Sequence, residues 1–568
     1  MAAPRIFIIG LDAATWDMLK PWTEAGELRN IAGLIRKSAN GELQSSIPPL
    51  TPPAWTSFMT GCNPGKHGIY NFMERREGGY GMRYSNAGSR KARTLWRVLN
   101  EAGHSTGVVN VPFTYPPEAL EGFQVSGMDT PSEKSAFVHP PELREELERE
   151  VGRLELEIRY LGAMSTDERR DAVLEGMRKL DEQWTRVELH TLEKHPCEVM
   201  MVTFMSIDTV QHYFWHFMDA GHFLHDAKGA VRYGEAIKDV YRRLDGAVGR
   251  IMERLPEDCT VLVVSDHGGG PVADRVVYLN RYLAELGLLA YKDGAGGGLG
   301  QRATRRVYEA VRGALGSDQK KWLAHRFPAL RERMENVATS FANIEWRRTR
   351  AYCSEVLAYP PSVFLNMKGE RAEGTVEEGE REELIGLLMG KLGELKDPRD
   401  GSAIIPRVYR REEVFHGEWA GEGPDLVLDW WSGAGFSASP SLVEEMGEPV
   451  VRIRERAPMK EPEWSGTHRL HGILIGSGPA IQAGAKIEGA RLMDLMPTIL
   501  YLMDVKIPGG LDGRVLTEMV RPEYLREHPV RTVGEEGMGG MGGSQSTPYS
   551  VEEAAEVEER LKALGYVD

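Results

Sequence analysis

The sequence has no long stretch of basic residues and no long stretch of apolar ones. It contains no run of five or more Lys and Arg, and its 69 Lys and Arg are outnumbered by 84 Asp and Glu, which gives a formal net charge of −15. Because binding along a nucleic-acid backbone draws on clustered Lys and Arg, this composition argues against a protein that coats DNA or RNA. No stretch approaches the roughly 18 consecutive apolar residues needed to cross a bilayer, so no transmembrane segment is predicted.

Cysteine is also scarce. The four cysteines form no CxxC pair and no spacing typical of a zinc finger or a disulfide scaffold. The apolar segment at 6–10 is too short for the hydrophobic region of a signal peptide, and it continues directly into Leu11 and Asp12. We therefore expect a protein of the reducing cytoplasm whose first apolar segment is a core strand.

Short apolar segments recur along the chain, separated by stretches with helical periodicity. They lie at 6–10, 105–111, 199–204, 260–265, 424–428 and 472–475. This alternation is typical of an α/β fold in which helices flank a mostly parallel central sheet. Such a sheet binds ligands at the carboxyl ends of its strands, so the polar residues that follow these segments are the first candidates for a functional site.

Two charged stretches with helical periodicity interrupt the alternation, one at 140–194 and one that begins at 302–338 and continues to 396. Because strand-like segments resume after each, we interpret them as helical cap insertions at 131–195 and 286–405. The core then consists of 1–130, 196–285 and 406–525.

The last part of the chain, 526–568, is predicted to hold a flexible linker and a short C-terminal helix. Residues 535–548 are rich in Gly, as flexible linkers are. Ser550 and Glu553 have the spacing of a capping box that would begin the helix, and Gly565 would end it. We interpret this segment as a docking tail.

Carboxylate and imidazole side chains follow the first and third apolar segments. Asp12 comes directly after the first one, where an Asp is either a helix N-cap or a ligand in a cleft. Asp208 and His212 follow the segment at 199–204 with i, i+4 spacing, so a helix places both on one face, which suits a zinc-like ion. The alternative is a surface Asp followed by an aromatic core helix. His216 continues the same face but lies farther from the strand end.

Further candidates follow the later segments. Asp266 and His267 end the segment at 260–265 and precede three glycines, so two metal-competent side chains would lie at a carboxyl edge where a ligand can approach the backbone. A structural turn is the alternative. His468 and His471 come just before the segment at 472–475, and each is either a ligand or part of a loop.

The proline-rich segment around 45–57 supplies hydroxyl groups. A hydroxyl needs a base or a metal to act as a nucleophile, and the Asp and His candidates could supply the metal. On composition alone the candidates are Thr51, Ser45, Ser46, Thr56 and Ser57. Two metal ions about 4 Å apart would use roughly the number of ligands found, and they would stabilise both sides of an in-line phosphoryl displacement.

Together these motifs resemble the type I phosphodiesterase and nucleotide pyrophosphatase family of the alkaline phosphatase superfamily. Gly10-Leu-Asp12 resembles the first metal aspartate, and Thr51-Pro-Pro-Ala with the later Thr60-Gly61 pair resembles the nucleophile segment. The Asp208 and His212 pair, the Asp266-His267 pair and Gly466-Thr-His468 resemble the other ligands. The resemblance covers about 5–125, 197–285 and 406–520, and it singles out Thr51, which lies nine residues before Thr60 as in the family.

The resemblance implies a hydrolase of phosphodiester or pyrophosphate bonds that forms a phospho-threonine intermediate on Thr51. It implies two divalent ions, with zinc as the usual pair and manganese as a substitute. His471 is an alternative ligand and Lys66 a candidate for substrate binding. The implied ligands are Asp208, His212 and His468 for one ion, and Asp12, Asp266, His267 and Thr51 for the other.

One position departs from the family pattern. Ala54 stands where nucleotide pyrophosphatases have an Asn that helps to bind the phosphoryl oxygens, so nucleotide specificity is not implied. We expect a small phosphoester or a phosphorylated headgroup as substrate. The alternatives are a phosphomonoesterase or phosphonate hydrolase of the same superfamily, and a non-catalytic metal-binding homologue. A sulfatase is rejected because Cys62 follows the Thr-Gly pair and the signature Arg is missing.

Overall fold

The computed structural model describes residues 3–75, 79–156, 158, 161, 164–292, 343–354, 361–433, 435–439, 447–457, 464–534 and 549–563. In chain order the strands are β1 (Ile6–Leu11), β2 (Ala39–Gln44), β3 (Met73–Arg75), β4 (Met82–Tyr84), β5 (Thr106–Val111), β6 (Gly122–Ser126), β7 (Val138–His139), β8 (Val199–Phe204), β9 (Thr260–Val264), β10 (Gly268–Pro271), β11 (Arg275–Val277), β12 (Ala351–Cys353), β13 (Ser362–Leu365), β14 (Val408–Arg410), β15 (Leu426–Leu428), β16 (Ser437–Ala438), β17 (Val451–Ile453), β18 (Gly466–Arg469), β19 (His471–Ser477), β20 (Lys486–Arg491), β21 (Ile507–Pro508) and β22 (Thr532–Val533).

The α-helices are α1 (Trp16–Glu24), α2 (Arg29–Ile35), α3 (Thr51–Thr60), α4 (Pro64–His67), α5 (Leu95–Glu101), α6 (Pro141–Val151), α7 (Asp167–Lys194), α8 (Ser206–Met218), α9 (Ala227–Tyr233), α10 (Ala236–Met252), α11 (Leu279–Glu285), α12 (Arg381–Gly393), α13 (Arg411–Val414), α14 (Leu495–Leu502), α15 (Pro522–Glu527) and α16 (Val551–Ala563). Short 3₁₀ helices lie at Ala87–Ser89, Trp346–Arg348, Glu378–Glu380, Ala420–Glu422, Leu492–Asp494 and Thr517–Met519. No helix in the described part of the chain is long and apolar enough to span a membrane.

A nine-stranded sheet forms the centre, in the order β20-β2-β19-β9-β1-β8-β5-β6-β7. Five adjacent strands, β9, β1, β8, β5 and β6, run parallel to one another. Strand β2 also pairs parallel with β20, whereas β19 and β7 run antiparallel to their neighbours. The sheet is thus mostly parallel and flanked by helices, which confirms the predicted fold class.

Both faces of the central sheet are covered, which explains its continuous apolar strands. Alternate residues of β1 point to opposite faces: Phe7 and Ile9 pack into a core with α8 and α10, whereas Ile6 and Ile8 pack into a second core with α3, α5 and α14. All six residues of β1 are buried.

The structure corrects one strand assignment. The segment predicted at 424–428 forms a strand, β15, but it pairs with β13 and β14 in a separate four-stranded sheet and not in the central one. With α12 this sheet encloses its own core, which includes Tyr352, Phe364 and Leu388. A buried strand has the same apolar sequence pattern whichever sheet it joins, so the apolar segment alone could not identify the strands with which it pairs.

The predicted helical insertions and C-terminal helix can be compared with the structure where their residues are described. The interruption at 140–194 contains α6 and the long helix α7. Both hydrogen bonds of the capping box form at the start of α16, with Ser550 N donating to Glu553 Oε2 (2.8 Å) and Glu553 N donating to Ser550 Oγ (3.2 Å). The basic segment at 302–338, the linker at 535–548 and Gly565 lie outside the described residues. The division into core and caps stays a prediction.

Candidate active site

Three neighbouring strands of the central sheet deliver the predicted acidic residues to one edge. The strand order β9-β1-β8 is parallel, and the strands end level, with Gly10 opposite Val264 and Leu11 opposite Phe204. Asp12 therefore follows β1 beside Asp266 after β9, while Asp208 lies in the first turn of α8 after β8. This edge is where an open parallel sheet binds ligands.

The first cluster consists of Asp12, Asp266 and His267, all fully buried. His267 Nε2 lies 3.2 Å from Asp266 Oδ2 and 3.7 Å from Asp12 Oδ1. Thr51, the first residue of α3, places its Oγ1 atom 3.4 Å from the same nitrogen. A hydroxyl group thus joins two carboxylates and an imidazole.

The second cluster consists of Asp208, His212 and His468, which are also buried. Asp208 Oδ1 lies 3.1 Å from His212 Nε2 and 3.4 Å from His468 Nε2, and the two Nε2 atoms are 3.0 Å apart. The i, i+4 pair shares one face of α8, as its spacing predicts, and His468 comes from β18.

The two clusters adjoin each other. The rings of His267 and His468 stack with their centroids 3.7 Å apart and their planes at 20°. The antiparallel pairing of β10 with β18 brings His468 to this position, opposite Gly269. We therefore describe the clusters as one site.

The three glycines after His267 serve the packing of the protein. They form β10, and a side chain at Gly269 would place its Cβ 2.2 Å from Gln211 Oε1, while one at Gly270 would meet Arg469 at 2.5 Å. The approach of a ligand to this backbone stays a prediction. Glycine is needed most clearly at Gly268, where a Cβ would lie 2.2 Å from the backbone oxygen of His471.

Each histidine of the site is oriented by a backbone carbonyl. The Nδ1 atom of His212 lies 2.8 Å from Gly466 O, that of His468 lies 2.9 Å from Pro49 O, and that of His267 lies 3.1 Å from Gly268 O. A carbonyl only accepts, so Nδ1 carries the proton and donates it, which leaves the lone pair on Nε2. All three lone pairs face the clusters, as second-shell contacts orient metal-ligating histidines.

In each carboxylate of the first cluster, one oxygen accepts a hydrogen bond and the other has no hydrogen-bond partner among the described residues. Trp55 Nε1 donates to Asp12 Oδ2 (2.8 Å), and Ala13 N donates to Asp266 Oδ1 (3.3 Å). Asp12 Oδ1 and Asp266 Oδ2 are buried and accept no hydrogen bond from the described residues. Since buried anionic oxygens without partners are costly, these residues fit a bound cation.

The protonation behaviour of the site points the same way. Burial, with the nearby Asp208, raises the pKa of Asp266 well above its usual range, and burial with Asp266 and Asp208 does the same for the pKa of Asp12. Burial and then His468 hold the pKa of His267 well below its usual value. Like charges and desolvation cause these shifts, and divalent cations would oppose them.

Among the predicted hydroxyls, Thr51 is the one placed against a cluster residue. Thr56 Oγ1 donates to Pro52 O (2.7 Å), Ser46 Oγ donates to Pro48 O (2.9 Å), and Ser57 Oγ pairs with His67 Nε2 (3.0 Å). Ser45 Oγ is buried, with no hydrogen-bond partner among the described residues.

Three other predicted residues lie outside both clusters. His471 is exposed at the start of β19. Lys66 Nζ donates to Asp512 Oδ1 (2.6 Å) and to Gly510 O (2.7 Å), so the described structure gives it an ion pair. His216 Nδ1 pairs with Ser465 Oγ (3.0 Å). The substrate-binding role of Lys66 stays a prediction.

Sequence reasoning missed the side chains that support the site. Besides Trp55, which holds Asp12, Trp464 stacks on His212 with centroids 3.7 Å apart, and Gln211 Nε2 donates to Ala13 O (2.9 Å). Trp55 had one usable signal, because it lies four positions after Thr51 on the same helical face. The other two depend on long-range packing and carry no local signal.

The family match over most of the chain, with which the fold and the two ligand clusters agree, defines the class of protein, a metal-dependent phosphoester hydrolase of the alkaline phosphatase superfamily. Residues 6–468 match the family profile "Type I phosphodiesterase / nucleotide pyrophosphatase", and the chain belongs to that family. The resemblance seen in the sequence is thereby confirmed. No protein of curated function matches the sequence significantly.

Solved structures of a phosphonoacetate hydrolase share the fold. Phosphonoacetate hydrolase from Sinorhizobium meliloti 1021, in complex with phosphonoformate, has 15% sequence identity and a TM-score of 0.51, over 87% of this chain and 94% of that one. Murine ectonucleotide pyrophosphatase / phosphodiesterase 5 has 13% identity and a TM-score of 0.46, over 88% and 95% of the two chains.

Proposed function

We propose that the protein hydrolyses phosphodiester or pyrophosphate bonds through a phospho-threonine intermediate on Thr51, at a site for two divalent ions. The observation that carries this proposal is the position of Thr51 Oγ1, 3.4 Å from His267 Nε2 and beside two buried clusters of ligand atoms. A hydroxyl beside such clusters can act as a nucleophile. Thr56 and Ser57 lie on the same helix, but their hydroxyls contact Pro52 O and His67 instead.

The proposed ligands of the two ions follow the clusters. Asp208, His212 and His468 would hold one ion, and Asp12, Asp266, His267 and the Thr51 oxygen would hold the other. Mixed imidazole and carboxylate donors suit zinc, and manganese is the alternative. When bound, such ions act as Lewis acids that stabilise the charge of oxygens on a transferring phosphoryl group.

The residues of the chain have distinct parts in the reaction. Thr51 Oγ1 forms the bond to phosphorus while the ester P–O bond breaks and the alcohol leaves with the proton. Water then bonds to phosphorus and the P–Oγ1 bond breaks, so two inversions give net retention at phosphorus. The N-terminus of α3, where Thr51 lies, presents its positive dipole end to the phosphoryl charge.

The compartment belongs to the proposal as well. Cys62, Cys197, Cys259 and Cys353 are free thiols and buried. Free cysteines support a reducing compartment, and we propose the cytoplasm.

The decisive test is the Thr51→Ala variant, assayed with bis(4-nitrophenyl) phosphate. We expect its kcat to fall by about 10³-fold or more, as for the loss of an essential nucleophile, while bound zinc, measured by mass spectrometry, stays above one ion per chain. Thr56→Ala is the matched control, since its hydroxyl donates to a carbonyl of the same helix. Activity of Thr51→Ala within tenfold of the parent would contradict the proposal.

The choice of substrate separates the alternatives. A diesterase should prefer bis(4-nitrophenyl) phosphate over 4-nitrophenyl phosphate. The reverse preference would assign a phosphomonoesterase, and turnover of phosphonoacetate would assign a phosphonate hydrolase. Two bound ions without turnover of any of the three would assign a non-catalytic homologue.

A further inference from the structure

A cavity of about 450 Å³ opens beside the second cluster. Asp208 and His212 of α8 form part of its lining. The rest of its wall is mostly apolar and includes Met128, Leu156, Leu161, Leu180 and Trp184. Its volume falls in the range of about 300–1,000 Å³ that is usual for small-molecule sites.

Several separate parts of the chain build this wall. Met128 and Pro131 come from the loop after β6, and Leu180 and Trp184 come from one face of α7. The C-terminal helix α16 contributes Glu556, Glu559 and Arg560. The cavity is therefore complete only when α16 lies in place.

The helix α16 is fixed both to the core and to the helical insertion. Arg560 donates to Thr130 O at 2.6 Å and also to Leu156 O, and both Arg560 and Leu156 line the cavity. Just before the helix, Tyr549 OH donates to Asp129 O (2.6 Å).

An apolar contact adds to these hydrogen bonds. Val557 and Leu561 are buried against Phe72, Phe113 and Met128. Since Met128 also lines the cavity, the contact that docks the helix also shapes the cavity wall.

The polar groups in the deep part of the wall already have partners. Asp181 accepts from Ser206 Oγ (2.7 Å) and from Arg243 Nε (2.8 Å). The acidic residues of α16 lie toward solvent, since Glu559 is exposed and Glu556 is half-buried. The cavity thus combines a mostly apolar wall with two residues of the second cluster, Asp208 and His212, and with charged residues of α16.

We propose that this cavity binds the apolar organic group of the substrate, an alkyl or aryl phosphoester, and that α16 forms the wall that selects for this group. The inference rests on the proposed function in one respect, namely that the phosphoryl group lies at the two clusters. A substrate with an anionic end and an apolar end matches a charged site that continues into an apolar cavity.

Binding of phosphonates to the zinc-loaded full chain tests the proposal without turnover. Isothermal titration with methylphosphonate, hexylphosphonate and phenylphosphonate should give at least tenfold tighter binding for one of the two larger ligands. The tighter of the two tells whether the group is alkyl or aryl. Equal affinity for all three would overturn the cavity assignment, whereas failure of methylphosphonate to bind would overturn the phosphoryl site and with it the proposed function.

Two substitutions fill the cavity from opposite sides. Leu180→Trp on α7 should bring the affinity for the larger ligand to within threefold of that for methylphosphonate and leave methylphosphonate binding unchanged. Leu174→Trp is its control, because Leu174 is also half-buried on α7 but does not line the cavity. A preference unchanged in Leu180→Trp would overturn the assignment.

Glu556→Trp tests the part played by α16. Its side chain lines the cavity, whereas Glu552 lies one turn earlier on the same helix and is exposed, so Glu552→Trp is the control. We expect Glu556→Trp, and not Glu552→Trp, to reduce the preference at least threefold. If the two variants keep the same preference as the parent, α16 is not a wall of the binding site.

Discussion

At the scale of single residues, two buried carboxylates of the site differ from the buried Asp129 in their hydrogen bonds. Asp129, buried elsewhere, accepts from the backbone N–H groups of Phe113, Thr114 and Tyr115. Asp12 and Asp266, by contrast, each keep one buried oxygen without a hydrogen-bond partner among the described residues. Asp12 and Asp266 lie together with His267, and such a cluster of unsatisfied buried oxygens and an imidazole fits a bound cation.

Glu188 on α7 is a buried acid outside the site, and it should make the free energy of unfolding depend on pH. Neither carboxyl oxygen has a hydrogen-bond partner in the described residues, and burial raises its pKa from 4.5 to about 8. Between these values the folded state keeps the proton that the unfolded chain has lost, so the carboxyl group destabilises the fold increasingly as pH rises. The Glu188→Gln variant should gain stability over the parent by about 1.4 kcal/mol per pH unit between pH 5 and 8.

The measurement is the free energy of unfolding in urea at several pH values. Glu193→Gln, on the exposed part of the same helix, should show no growing difference over this interval, because its pKa is lowered by Lys194 and it is ionised throughout. A Glu188→Gln effect that is independent of pH would contradict the buried neutral state of Glu188.

At the scale of elements, the middle strands could be predicted and the edge strands could not. Strands β1 and β8 are buried along their whole length and therefore read as continuous apolar runs. Strand β20 lies at the edge and β2 lies next to it; they carry the polar sequences KIEGAR and ANGELQ and are only partly buried. Their strand state comes from pairing with neighbours and not from their own composition.

Helix α2 is capped by a residue of another helix, and this contact should contribute to the stability of the protein. Its preceding residue provides no side-chain cap, and instead Asp245 of α10 accepts from Asn30 N (3.2 Å) and Ile31 N (2.7 Å). Asp245→Ala should lower the free energy of unfolding by about 1–3 kcal/mol, since the N–H groups lose a charged acceptor in a partly buried place.

Thermal or urea unfolding measures this loss. Asp239→Ala, which removes an exposed ion pair with Arg242 on the same helix, should cost less than about 0.5 kcal/mol. Equal effects of the two substitutions would show that Asp245 does not cap α2.

At the scale of the whole molecule, the site joins residues from position 12 to position 468, so metal binding and folding should be coupled. Zinc at about 100 times its dissociation constant should stabilise the chelator-treated protein by about 2.7 kcal/mol, because it binds the folded site and relieves repulsion among buried carboxylates. Calorimetric unfolding with and without zinc measures this gain.

The control for metal binding uses two carboxylates. Asp266→Asn should lose most of the stabilisation by zinc, whereas Asp512→Asn, which removes the partner of Lys66, should keep it. An unfolding midpoint that zinc leaves unchanged in the parent would contradict the two-ion site.

The sequence by itself determined the fold class and most of the candidate ligands. Parallel strands buried on both faces are apolar throughout, so their ends can be found, and the residues Asp12, Asp208 and Asp266 follow those ends. Only the tertiary structure decided that His468 and not His471 faces the site, because β18 pairs His468 with Gly269 of β10, whereas His471 begins β19, is exposed and pairs with Gln44 of β2. It also decided that α16 walls the cavity, since contacts between residues more than 400 positions apart leave no periodic trace in the chain.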